Sequence, residues 1–356
     1  MSCRKASGAA LAAAVACAAL AGCMPWGNDE PEKKIGAAAG KAQGGKTDQA
    51  AVRKEKTARA AQAKANELGQ IPVLMYHRVV DKPTAPDDRT PKQFRAELDR
   101  LAAEGYVPIT AAEYVRGRIG IPAGKHPVVL TFDDASPAQL TLDGSGKPMP
   151  NTAVAILQDV ARRHPGFRPV ATFYVTRDLF GKTRPEEQTQ MLTWLRENGF
   201  DIGNHTYGHR NLLGMSKKEA MTEIAKGHDL IAKLTGTEPV TLALPYGNQP
   251  STPEWALKGN SGDVAYTYGG VFRAGYTPAA SPFSKDFKPT DLPRIRSMGK
   301  VRKDECHRFC STAWLDWLKA NPDERYTSDG DVGTVAYAKF KAPFMAARFA
   351  PYALPY

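Results

Sequence analysis

The stretch Val128-Val129-Leu130-Thr131-Phe132-Asp133-Asp134 decides how this chain is read. Its first five residues are apolar or β-branched, the pattern of a strand buried on both faces, and two adjacent carboxylates close it. Successive side chains of a strand point to opposite faces, so the two acids cannot do one job from one direction. In α/β proteins the carboxyl end of a strand is where chemistry collects. One acid there can hold a metal while the other moves a proton. A strand end followed by an Asp-rich turn would have the same local sequence.

Further along, Asn204-His205-Thr206-Tyr207-Gly208-His209 sets two imidazoles four residues apart. On a helix they would share a face, and a tight glycine-bearing loop brings them together equally well. Two His and one carboxylate make a three-ligand metal site with open positions, as catalytic zinc requires. The same donors suit non-haem iron, so ligand type does not choose the metal.

The elements around these motifs alternate. Residues 71–77 (IPVLMYH) read as a buried strand ending in His77, and Thr90-Pro91 opens a helix with Phe94, Leu98 and Leu101 on one face. Thr110 with Glu113, and Ser216 with Glu219, form capping boxes for two further helices, and Asn151 is placed as the cap of a helix carrying Val154, Leu157 and Ala161. PVATFYV, VTLALPYG, VAYTYGG and LPRIRS read as later extended segments. Seven or eight strand–helix units predict a mostly parallel α/β fold, a complete or imperfect (β/α) barrel. A doubly wound sheet is the rival, weakened because no dinucleotide-type glycine fingerprint follows an early strand.

TFDD (Thr131 to Asp134), HTYGH (His205 to His209) and LPYG (Leu244 to Gly247) stand in the order and approximate spacing of the polysaccharide deacetylases of the NodB homology type, carbohydrate esterase family 4, which this chain resembles over residues 71–300. The opening IPVLMYHRV is similar to the subgroup that includes exported poly-N-acetylglucosamine deacetylases. The resemblance implies a distorted (β/α) barrel and a divalent metal, usually zinc, held by Asp134, His205 and His209. It implies Asp133 as general base, the Tyr246 backbone N–H beside Pro245 as oxyanion donor, and His77 as the acid that protonates the leaving amine. The last role has a structural alternative, a packed histidine at a strand end. The implied substrate is an N-acetylated polysaccharide, poly-N-acetylglucosamine or peptidoglycan first.

Three departures from the family pattern stand out. Ala243 occupies the position where an arginine often orients the base, and Arg294 or Arg296 is the candidate replacement. Ala135 follows the Asp pair where Gly is common, ahead of an unusual loop at 136–150. No Asp-Trp motif is recognisable, and Trp255 and Trp314 read as core aromatics before acetyl-pocket residues.

The ends of the chain read differently. Arg4 and Lys5, an apolar run at 9–20 and Leu20-Ala21-Gly22-Cys23 form a leader of lipoprotein type, with Cys23 as the lipidated residue and residues 1–22 removed. Residues 23–69 have almost no large apolar side chains and read as a disordered tether, helical at most in passing over 48–68. This places the domain, residues 70–320, outside the cytoplasm on a membrane anchor, with residues 321–356 as a C-terminal extension. GKAQGGKT (Gly40 to Thr47) has P-loop spacing but no strand before it, and is read as compositional chance.

The formal charge of +11 favours anionic surfaces, and much of it sits in the leader and tether; no aromatic-interleaved basic stripe argues for nucleic acid. Residues 24–305 contain no cysteine, so no disulfide framework holds the main fold. For Cys306 and Cys310 a local disulfide is expected before two buried thiols.

Overall fold

The computed structural model describes residues 44–298 and 309–356, with the side chains of 44–48 left aside. Its centre is a closed ring of seven parallel strands: β1 (Val73–Tyr76), β3 (His126–Asp133), β4 (Thr172–Val175), β5 (Asp201–Asn204), β6 (Thr241–Ala243), β9 (Gly270–Gly275) and β10 (Leu292–Arg296). β1 closes it by pairing with both β10 and β3, which excludes the open doubly wound sheet. β2 (Tyr106–Ile109) lies outside the ring, paired with the first half of β3 while β1 takes the second half. All eight residues of β3 are buried, as a strand covered on both faces must be.

Helices cover the ring where the sequence signals them. Thr90 and Pro91 start α2 (Pro91–Ala103), Thr110 and Glu113 cap α3 (Ala111–Val115), and Ser216 and Glu219 cap α6 (Lys217–Thr235). The cap of α4 (Ala153–Arg163) is Thr152; Asn151, expected there, instead takes a left-handed φ of 67° that the turn requires. α5 is Pro185–Glu197. An apolar layer between strands and helices includes Tyr76, Phe94, Phe132 and Phe173, whose rings stack and meet edge-on at 5.0–5.8 Å. A second cluster, with Val73, Val129, Tyr174, Phe272 and Tyr326, fills the ring and its floor.

The extended reading of VAYTYGG is shifted by the structure. Residues 264–267 form β8 (Val264–Thr267) in an antiparallel hairpin with β7 (Lys258–Ser261), next to the short helix α7 (Glu254–Leu257), and the ring strand begins only at Gly270. The two glycines at 269–270 weaken the strand signal, yet a Cβ at Gly270 would come within 2.6 Å of Leu292 and 2.7 Å of Val115.

The tether reading is corrected over residues 44–69, the part of it that the structure describes. α1 (Gly44–Gln62) is a helix, Ala60, Ala65 and Leu68 are buried, and Asn66, Glu67 and Gln70 bond the backbone near the chain end. The cause is non-local. After α8 (Ser311–Ala320), the tail returns under the ring as β11 (Val335–Tyr337) and β12 (Ala353–Pro355), and Ala336 and Leu354 pack on Ala60 and Ala65. Residues 322–356 therefore close the end of the barrel where its strands begin, through Tyr326 on His126 and Gln70. Cys23 and Cys306 lie outside the described residues; Cys310 is a buried thiol.

Candidate metal and acid-base site

Three loops at the carboxyl ends of β3, β5 and β6 form the site. Of eight non-glycine residues with positive φ among the described residues, five lie in them: Asp134 (74°), Ala135 (49°), Thr206 (65°), His209 (51°) and Tyr246 (58°). Left-handed backbone is costly for such residues and persists where surrounding contacts impose it. Ala135 shows why glycine suits its position.

Asn204 imposes much of this shape. Its buried side chain accepts from Thr206 N–H and donates to the Ile224 carbonyl and the Tyr268 hydroxyl. α6 can approach because residue 227 is glycine; a Cβ there would sit 2.3 Å from Asn204 Oδ1. Glu223 then takes the Gly208 N–H at 3.0 Å. The two-histidine loop is thus not helical; it is a turn tied to α6.

The ligand atoms of Asp134, His205 and His209 all lie within 4.8 Å of one another. Asp134 Oδ1 is 3.5 Å from His205 Nε2 and 3.3 Å from His209 Nε2. That oxygen is buried without a hydrogen-bond partner, an expensive state for a carboxylate unless something else coordinates it. His205 Nδ1 donates to the Ala243 carbonyl at 2.8 Å, which turns Nε2 toward Asp134 as a metal ligand needs. The three residues fit a divalent cation.

Asp133 stands beside this group, 2 % exposed, and Arg294 grips both its oxygens at 2.6 and 2.8 Å. The guanidinium is itself fully buried, bonded to Thr131 and lying over the Tyr174 ring. Burial alone would raise the Asp133 carboxyl; Arg294 and then His205 outweigh it and hold the group well below the usual carboxylate range. Burial likewise works against charge on His205, but the two aspartates raise its pKa; His209 is lowered, by burial first and then by His205.

Of the two candidate arginines, Arg294 is the one that reaches Asp133. Arg296 does not reach the aspartate; its guanidinium lies 3.7 Å from Asp87. His77 follows β1 in the same cleft, an electrostatic neighbour of Asp133, Asp134 and His209, with Nδ1 buried and unpartnered. The Tyr246 ring, 64 % exposed, lies 4.9 Å from His209, and its N–H donates to no group among the described residues. The turn Pro245–Gly247 that presents it depends on Gly247, where a Cβ would collide with Ala274 at 2.5 Å. Trp255 and Trp314 pack against core clusters.

One residue escaped the sequence reading. Gln139, fully buried in the 136–150 loop, donates through Nε2 to the carbonyls of His77 (2.8 Å) and Asp133 (2.5 Å). It joins the two strand ends that carry Asp133 and His77. A glutamine in a loop carries no signal of such a role.

Residues 120–260 match the family described as polysaccharide deacetylase. The chain is 31 % identical over 120 residues to the peptidoglycan-N-acetylmuramic acid deacetylase PdaC of Bacillus subtilis, covering 34 % of this chain and 21 % of that protein. It is 25 % identical over 171 residues to a peptidoglycan-N-acetylglucosamine deacetylase of Bacillus cereus, covering 48 % and 54 %. The match thus spans about a fifth and about half of these two curated relatives. Among solved structures, Streptococcus pyogenes deacetylase PplD in complex with acetate aligns with a TM-score of 0.48 at 22 % identity, over 64 % of this chain and 92 % of that one. The family match spans β3 through β6 and so contains the Asp pair, both histidines and the Tyr246 turn. Over residues 120–260 the chain is similar to the polysaccharide deacetylase family.

Proposed function

We propose that this protein removes acetyl groups hydrolytically from the N-acetylhexosamine units of an extracellular polysaccharide, of the poly-N-acetylglucosamine or peptidoglycan type. The observation that carries the reading is Asp133, kept ionised by Arg294 at the edge of the Asp134–His205–His209 group. A binding module has no use for a buried carboxylate held in this way.

A divalent ion on that triad, with zinc as the expected species, would polarise the amide carbonyl and lower the pKa of a bound water. Asp133 accepts the proton of the attacking water. Arg294 fixes both oxygens of that carboxylate, so its orientation is set before substrate arrives. The Tyr246 N–H donates to the oxyanion as the carbonyl becomes tetrahedral. His77, on the neighbouring strand end, gives a proton to the departing amine. The exposed Tyr246 ring offers a face for a sugar.

Acetate release from N-acetylglucosamine oligomers, with and without chelator, tests the proposal. Release only from O-acetylated glycans would favour a carbohydrate esterase using the same residues; release from none would favour a glycan-binding lipoprotein. Lipidation at Cys23, and with it an extracytoplasmic, membrane-anchored location, is part of the same proposal. Mass spectrometry of the mature amino terminus tests it, with an unmodified start elsewhere as the contrary result.

A further inference from the structure

We infer that the floor of the barrel, opposite the candidate site, is a docking face for an anionic lipid surface. The tail leaves bulky apolar groups in water there: Phe340 is 67 % exposed, Tyr352 53 % and Phe344 45 %. Val332 in the preceding loop and Val52 on α1 are exposed as well. Half of the large exposed hydrophobics among the described residues thus belong to α1 and the tail, which meet through the Arg53 bond to the Ala353 carbonyl and the Lys56–Asp331 ion pair.

Cations are interleaved with these groups. Residues 335–356 contain Lys339, Lys341 and Arg348 and no acidic residue. Lys285 lies over the Phe344 ring at 5.3 Å, Lys341 over Phe340 at 5.8 Å and Arg348 over Phe349 at 4.7 Å. α1 and the residues after it as far as 64 add Lys46, Arg53, Lys54, Lys56, Arg59 and Lys64 against Asp48 and Glu55. Lys341 is shared with Glu324, but Lys54, Lys64, Lys339 and Arg348 make no ion pair among the described residues. Aromatic rings flanked by Lys and Arg suit the boundary between headgroups and acyl chains, where rings insert and cations meet phosphate.

A soluble polyanion would use the cations but has no use for the exposed valines, which a lipid surface accepts. No helix of the described residues is long and apolar enough to cross a membrane. The placement also deepens the functional proposal. Strand starts face lipid, and the carboxyl ends with their catalytic groups face outward toward a glycan. It does not depend on a lipid at Cys23.

The test is sedimentation of the full chain carrying Cys23→Ala with phosphatidylglycerol-containing and with purely phosphatidylcholine vesicles. Binding is expected to the anionic vesicles and to fade toward about 1 M salt, where screening acts over about 3 Å. Adding Phe340→Ser, Phe344→Ser and Tyr352→Ser should lower the partition about tenfold or more, and so should Lys54→Glu, Lys64→Glu and Lys339→Glu. Circular dichroism establishes that each variant is folded, and acetate release reports separately on the catalytic proposal. Equal partition of parent and both variants overturns the inference. So does capture by an anionic oligonucleotide without any vesicle binding, which would assign the face to a polyanion.

Discussion

Arg294 on β10 holds Asp133 on β3 by two hydrogen bonds of 2.6 and 2.8 Å, with β1 between their strands. Both partners are buried, so the pair is costly to break from one side. Arg294→Ala leaves a buried carboxylate without its counter-charge and should cost about 3–5 kcal/mol of stability. The Asp133 pKa rises once the guanidinium is gone, so the acid limb of the activity profile should move to higher pH. With the carboxylate free to swing, kcat should fall about 10²-fold. Arg296→Ala, on the same strand, should leave the profile unmoved.

His77→Ala should lower kcat by about 10²- to 10⁴-fold, the range of a lost proton donor, while bound metal remains stoichiometric. Near-normal turnover would return His77 to the role of a packed strand-end residue.

Chelation should abolish acetate release, and added divalent metal should restore it. The ion binds the folded state, so it should also raise the melting temperature; His205→Ala and His209→Ala should lose both the metal and that increment. A chelated enzyme at full activity would contradict the triad as a metal site.

Gln139→Glu places an acceptor against two carbonyl oxygens that now receive N–H bonds. Stability should drop by about 1–3 kcal/mol from unpaired buried groups. If Gln139 aligns the base with His77, kcat should fall at constant KM. A loss of stability alone would leave it a structural clamp.

Glu67 gives a pH signature far from the site. Its carboxyl is buried, and desolvation first, then Asp329, raise its pKa from 4.5 to about 8. The folded chain therefore holds a proton there that the unfolded chain releases above about pH 4.5. Stability from this group is complete below that pH and lost as pH rises toward 8. Melting temperatures across pH 5–8 should decline, and Glu67→Gln should flatten the decline.

What local sequence determined is the set of groups whose partners are near in the chain. Asp133 and Asp134 end a run of apolar and β-branched residues, His205 and His209 share one turn, and two capping boxes and the Thr90-Pro91 start name their helices outright. Such features follow from strand alternation and from bonds spanning three or four residues. Only the tertiary structure chose between Arg294 and Arg296. Side chains two apart on a strand face alike, and closure of the ring through β1 puts the first beside Asp133 and the second beside Asp87. The same holds for Gln139, for the burial of Ala60 and Ala65 under a tail nearly three hundred residues away, and for the aromatic floor. A polar, alanine-rich stretch reads as a tether because an isolated helix is marginal in water, and the packing that makes it part of the fold is supplied by residues no local window contains.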